Sequence, residues 1–342
     1  MRYRITVGVL CLVCLFRVSN LTAQAEEEER PLVLASASMF ADMAAVIGGN
    51  LVDVQMIVPI GGDPHIYEPT PADAQLVSSA DLVLRNGLTF EGWIDELVEN
   101  SGFSGIITTI TEGVGAIASD EYDNASDPHA WMSARNGLIY IRNIRDALVT
   151  LAPVYTEEFN FNYNIYRQQL EDLDQQMEEM LGAIPRHKRI LITSHDAFRY
   201  FGQRYGVRVE AVLGTSTDAE VQTSDIRRLN RVLQESEVPA VFIESTINPK
   251  LLQVLAKDNN VVIGGSLYAD SLGDEDSPGS TYLGMLEHNA RTIVDGLSRD
   301  RSTVTHPEEE EGTTERYILF GIILLLMVGS FFFMVYKLNV GA

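Results

Sequence analysis

Cysteine is almost missing from this chain: its 342 residues include two, Cys11 and Cys14, both within the first 25. Once that leading stretch is removed, no disulfide, thiolate metal ligand or cysteine nucleophile is left. Basic residues are scarce as well, 25 Lys and Arg against 48 Asp and Glu, a formal charge of −23. A nucleic-acid binder neutralises phosphates with cationic side chains, so this balance argues against that class. An acidic surface instead attracts cations. No stretch reads Gly-x-x-x-x-Gly-Lys-Ser/Thr, so any nucleotide-driven step belongs to another chain. A Gly-x-Ser-x-Gly elbow is also missing, and Ser194-His195-Asp196 is no nucleophilic triad, because triad members meet through the fold.

Long apolar runs occur only at the two ends. Arg2 and Arg4, the apolar Ile5–Phe16 and the small-residue Ala23-Gln24-Ala25 read as a signal peptide over residues 1–25. Twelve apolar residues are too few to span a bilayer. Val13 before Cys14 and Leu10 before Cys11 stand where a lipid-attachment motif wants a small residue. At the other end, Tyr317–Tyr336 holds twenty residues without a charge. At ~1.5 Å per residue it is ~30 Å long, one hydrocarbon thickness, and reads as a transmembrane anchor. The expected protein is exported and held on the outer, periplasmic face by this helix, with residues 301–316 as an acidic tether.

Between the ends, strand and helix alternate. Strands are expected at Leu32–Ala35, Val54–Pro59, Leu82–Arg85 and Ile106–Ile110, with helices at Met39–Ile47, Pro71–Ser79 (capped by Thr70) and Trp93–Ser101. Val154–Ile184 carries Phe159, Tyr163, Tyr166, Leu170, Leu173, Met177 and Met180, spaced four and three in turn, on one helix face. At about thirty residues this helix is ~45 Å long, beyond any ordinary connection. The alternation then restarts with strands at Arg189–Thr193, Arg208–Val212, Ala240–Glu244 and Val261–Gly264, and helices at Ala197–Tyr205, Thr223–Glu235, Pro249–Asp258 and Thr281–Leu297. The expected fold is α/β: Rossmann-like βα lobes at 31–150 and 186–300, bridged by one long helix within 151–185, with a cleft between them.

Six histidines are present, and two stand in a repeated triplet, Asp63-Pro64-His65 and Asp127-Pro128-His129. The first follows a strand and sits in a loop stiffened by Gly61, Gly62, Pro69 and Pro71, where open α/β sheets place ligands. His195 follows another strand, and Asp270 lies in Tyr268–Gly273 after the strand Val261–Gly264. If the lobes face each other, His65, His129, His195 and Asp270 converge as three imidazoles and a carboxylate, a complete set for a divalent transition metal. Asp63, Asp127 and Asp196 are candidates to support the ligands. A hydrolytic centre is the alternative, with Glu68 or Glu244 as base, but four protein ligands leave little room for an activated water. A surface adhesin with a structural metal is a third reading. His187, His288 and His306 read as solvated surface.

The loops Gly61–Pro71, Asp127–Trp131, Thr193–Phe201 with Gly206, Phe242–Ser245, and Tyr268–Gly273 through Tyr282-Leu283-Gly284-Met285 resemble the metal-specific (cluster A-I) substrate-binding proteins of ABC transporters for zinc and manganese. The likeness covers roughly Leu32 to Leu297. It implies a rigid long helix, one Zn2+ or Mn2+ ion held by His65, His129, His195 and Asp270, and delivery to a membrane permease driven by a separate ATPase. A non-enzymatic, monomeric receptor is the expectation. Three features depart from the family pattern. The segment Ser119–Asp127 is short and lacks histidine, Glu220-Val221-Gln222 replaces a Glu-Pro-Ser/Thr motif, and a carboxyl-terminal span takes the place of a lipid anchor.

Overall fold

A computed structural model describes residues 30–119, 125–218 and 220–300, with scattered positions between 321 and 337. The first lobe is a parallel sheet of β1 (Leu32–Ala35), β2 (Asp53–Met56), β3 (Leu82–Arg85) and β4 (Ile106–Thr109) in the order β2-β1-β3-β4. Both its faces are covered, so the strands read as apolar runs rather than as alternating ones. Val33, Ala35, Leu82 and Leu84 face the main core. Leu34 and Val83 face a smaller cluster with Val77 of α2 (Pro71–Ser79) and Ile94 and Leu97 of α3 (Ile94–Ser101). Helix α2 begins as the sequence suggests: Thr70 and Asp73 form a reciprocal capping box, and Pro71 occupies the first turn. β2 stops at Met56, earlier than expected, because the chain bends while Ile57 and Val58 still donate to the carbonyls of Ala35 and Ser36.

Four helices form the centre of the molecule: α1 (Ser38–Gly48), α4 (Ala134–Leu151), α5 (Thr156–Gly182) and α9 (Tyr282–Leu297). The long α5 packs against all three others, and against α6 (Arg199–Tyr205) of the second lobe. Its buried stripe of Phe159, Tyr166, Leu170, Leu173, Met177 and Leu181 follows the expected helical face. Helix α4 was not anticipated. It carries Gly137 because Tyr282 passes so close that a Cβ there would lie 2.5 Å from its hydroxyl.

The second lobe repeats the arrangement with β5 (Ile190–Thr193) paired to β6 (Arg208–Ala211) and β7 (Ala240–Glu244) to β8 (Val262–Leu267), all parallel. β5 lies beside β7, so the spatial order mirrors that of the first sheet. α7 (Thr223–Glu235) and α8 (Lys250–Asp258) complete the lobe. One apolar cluster runs through both lobes and the central helices.

The expected signal peptide (1–25) and acidic tether (301–316) lie outside the described residues. Most of 317–336 does too; Ile322, Leu325, Met327 and Val328 are helical and exposed. Among the described residues no helix is long and apolar enough to cross a membrane.

Candidate metal centre

Each residue of the quartet sits on a loop beyond a parallel strand or at the head of a helix. His65 lies in the loop between β2 and α2, with its backbone N–H donating to Asp63 Oδ1 at 2.9 Å and Trp93 Nε1 donating to the preceding Pro64 carbonyl at 2.9 Å. His129 immediately precedes a short 3-10 turn, Ala130–Met132, that leads into α4. His195 follows β5 and Asp270 follows β8.

The structure brings all four together, with one donor atom from each lying within 4.8 Å of the others. His129 Nε2 is 3.1 Å from His65 Nε2 and 3.3 Å from His195 Nε2. Asp270 Oδ2 is 3.1 Å from His195 Nε2, and its Oδ1 is 3.4 Å from His129 Nε2 and 3.9 Å from His65 Nε2. Metal–nitrogen bonds of ~2.0–2.1 Å in a tetrahedron put neighbouring ligand atoms about 3.4 Å apart, so the quartet is already at coordinating size. His129, His195 and Asp270 are at most 1% exposed. Both Asp270 oxygens are buried without a well-formed hydrogen bond from the described residues. A buried carboxylate left so would be costly unless a cation stood among the nitrogens.

Behind the quartet, carboxylates fix the rings. His129 Nδ1 is 2.8 Å from Asp127 Oδ1, which also accepts the His129 backbone N–H. His195 Nδ1 is 2.6 Å from Glu244 Oε2, while Glu244 Oε1 accepts the backbone N–H groups of Ser194 and His195. A proton held on Nδ1 leaves the Nε2 lone pair facing the centre, the arrangement a metal ligand needs. Of the expected supports, Asp127 does this directly. Asp63 instead braces the His65 backbone and accepts from Thr217 at 2.6 Å. Asp196 lies 3.7 Å from Arg199 and supports no ring of the quartet. The support that sequence reasoning missed in this role is Glu244, 49 residues from His195 and without a local signal.

The electrostatics agree with this geometry. Burial holds the His65 imidazole neutral, lowering its pKa to about 3. Burial would also lower His129, but Asp127 and Asp270 outweigh it and raise it to about 9. His195 is likewise driven well above the ordinary range, burial being overcome by Glu244 and Asp270. Burial would push the Asp270 carboxyl up, yet His195 and His129 hold it well below the usual range. His129 and His195 are therefore the rings that carry protons beside the carboxylate while His65 is neutral, and a divalent cation bound among them would replace those protons.

A hydrolytic base is harder to find. Glu244 is occupied by His195 and two backbone N–H groups, and Glu68 is exposed. His187 is exposed, as expected, 3.4 Å from Glu237. His288 is not simply solvated: it is half-buried, with Nε2 3.0 Å from the Ser266 carbonyl and its ring against Tyr268. The reason is the return of α9 along β8. His306 lies outside the described residues.

Known proteins share this sequence and architecture. The manganese-binding lipoprotein MntA of Halalkalibacterium halodurans is 34% identical over 297 residues, covering 87% of this chain and 98% of that protein. The zinc-binding protein TroA of Treponema pallidum is 33% identical over 306 residues, 87% of this chain and 99% of its own length. The solved structure of TroA covers 79% of this chain and all of that one at a TM-score of 0.75. A Mn-bound periplasmic metal binding protein from Candidatus Liberibacter asiaticus covers 78% of this chain and all of that one, at a TM-score of 0.73 and 31% identity. The sequence profile of the zinc-uptake complex component A periplasmic proteins matches residues 33–296, the two lobes and their linking helices, and the chain belongs to that family.

Proposed function

We propose that the protein is an extracytoplasmic receptor that captures one divalent transition metal ion, zinc or manganese, and delivers it to an ABC-transporter permease powered by a separate ATPase. The observation that carries this reading is the convergence of His65, His129, His195 and Asp270 to within 4.8 Å in a nearly sealed pocket. These four residues are the proposed ligands. The names of the relatives, which speak of manganese-binding and zinc-binding proteins, support the cargo class. Zinc binds three nitrogens and a carboxylate more tightly than manganese does, whereas supply decides which ion is carried in the cell.

The proposed organisation is a removed leader (1–25), two lobes (31–150 and 186–300) joined within 151–185, a tether (301–316) and an anchor (317–336). The anchor reading rests on the uncharged run Tyr317–Tyr336 and on the exposure of Ile322, Leu325, Met327 and Val328. Like the receptor role, the monomeric state is part of the proposal.

Zinc and manganese titration of the purified chain, run beside an ester and peptide hydrolysis screen, tests this reading. One ion per chain without turnover is expected. Metal-dependent turnover lost in His65→Ala would make the protein a hydrolase, and unfolding on metal removal would make the metal structural.

A further inference from the structure

Three of the four proposed ligands are sealed, and His65 alone borders open space. Its neighbours enclose a cavity of about 380 Å³ lined by His65, Thr89, Phe90, Pro128, Thr215 and Asp218, with walls from both lobes. Asp63, linked to Thr217 at 2.6 Å, ties the second-lobe wall to the loop that carries His65. Phe90, itself 1% exposed, lines this cavity beside His65 and covers the approach to the rings behind it. Its ring meets His65 edge-on at 5.0 Å and approaches His129 at 6.2 Å.

The segment that places Phe90 is strained. Gly87, Leu88 and Thr89 are three consecutive residues with positive φ, at 79°, 52° and 67°. Glycine tolerates this region; a leucine and above all a β-branched threonine do not adopt it without cost. Something must hold them there, and the hold is Glu91. This carboxylate, 5% exposed, accepts the N–H groups of Asn86 and Gly87 at 2.6 and 3.1 Å and the Ser36 hydroxyl at 2.5 Å. Backbone held in such regions by its surroundings clusters at clamps and switches, because a small displacement releases the strain.

Asp218, on the facing wall, is exposed and has no cationic partner among the described residues. It lines the same cavity as the His65 ring. A carboxylate at the mouth of a low-dielectric cleft raises the local concentration of cations.

We propose that this cavity is the route of metal exchange, with Phe90 as the side chain that must move aside and Asp218 as the residue that draws the ion toward His65. Glu91 is then a positioning residue, acting on the route through the loop it holds. The proposal rests on the receptor reading above and adds to it which residues set the rates.

Stopped-flow measurement of zinc association, and of dissociation into a chelator, tests it on the full chain in detergent. Phe90→Ala is expected to speed both steps by about tenfold while the equilibrium constant moves by less than about threefold, since a gate alters the barrier and not the end states. Asp218→Asn is expected to slow association about three- to tenfold at low salt, with the gap closing near 1 M salt and dissociation unchanged. Phe90→Leu, which keeps an apolar side chain of similar bulk, gives the same reading at smaller amplitude if Phe90→Ala fails to fold. Unaltered rates in both Phe90 variants, or faster dissociation alone with a matching loss of affinity, would overturn the gate. Association of Asp218→Asn at the normal rate in low salt would overturn the steering role. If the unsubstituted chain binds no zinc, the receptor reading falls and the route falls with it; normal binding with indifferent variants rejects the route alone.

Discussion

Glu244 holds the loop of His195 from both sides: its Oε2 lies 2.6 Å from the His195 Nδ1, and its Oε1 accepts the backbone N–H groups of Ser194 and His195. One carboxylate therefore fixes the ring's rotation, its tautomer and the position of its Cα. Glu244→Gln keeps an oxygen for the backbone and loses the charge facing the ring. Metal affinity should fall by about 10- to 100-fold with little loss of stability. Glu244→Ala also strands two buried N–H groups, each costing about 1–3 kcal/mol, and should lower the melting temperature as well. Chelator competition beside thermal unfolding separates the two effects.

Metal uptake should release protons, and affinity should rise with pH well above neutrality. His129 binds its proton up to about pH 9 in the metal-free pocket. At pH 7 that proton must leave before Nε2 can coordinate. His65, with its pKa lowered to about 3, adds no pH dependence above about 5. A histidine at its ordinary pKa would confine the change to pH values below about 6.5; here the window extends from about 6.5 toward 9. Titrations in two buffers of different ionisation enthalpy at pH 7.5 report the protons released.

The same shift acts on the metal-free fold with the opposite sign. His129 is raised in the folded state, so its contribution to stability is full below about pH 6.5 and is lost as pH climbs through about 9. The depressed His65 acts the other way, destabilising the fold as pH falls from about 6.5 toward 3. Thermal unfolding of the metal-free chain should show the alkaline decline, and His129→Gln should reduce it, the raised His195 contributing the remainder.

Trp131 links the loops of His129 and Asp270: its Nε1 donates to the Ala269 carbonyl at 3.0 Å, beside Asp270, and its own carbonyl accepts from the Tyr282 hydroxyl at 2.6 Å. Trp131→Phe leaves that buried Ala269 carbonyl without its donor, at a cost of about 1–3 kcal/mol. Affinity should drop with it, because the loop bearing Asp270 is released. Calorimetric titration with zinc reads the affinity, and thermal unfolding of the same variant reads the stability.

Much of this architecture is legible in the sequence because its signals are local. Thr70 and Asp73 three residues apart announce the start of α2, and Phe159, Tyr166, Leu170 and Leu173 mark the buried face of α5. The quartet is legible because His65, His195 and Asp270 each follow a strand and His129 repeats the Asp-Pro-His triplet of His65. What is missed depends on distant partners. Helix α4 shows Tyr140, Ile141, Ile144 and Leu148 at helical spacing, but Gly137 and the polar residues between them dilute the pattern. Gly137 is explained only by Tyr282, far along the chain. Glu244 reads as an ordinary strand-end acid, and a hydrolytic base is one role it could be given. Its actual place behind His195 follows from the adjacency of β5 and β7. Asp196 is sequence-adjacent to His195 yet turns toward Arg199, since neighbours along a chain rarely share an orientation.

The central claim is that three imidazoles and one carboxylate hold a single ion. X-ray absorption spectroscopy of the zinc-loaded chain, with metal content measured on the same sample, tests it most directly. The account predicts one ion per chain and a first shell of three imidazole nitrogens near ~2.0–2.1 Å with carboxylate oxygen completing it. His129→Ala should lose one nitrogen from that shell. A shell without imidazole, or zinc bound in full to a chain lacking both His129 and His195, would contradict it.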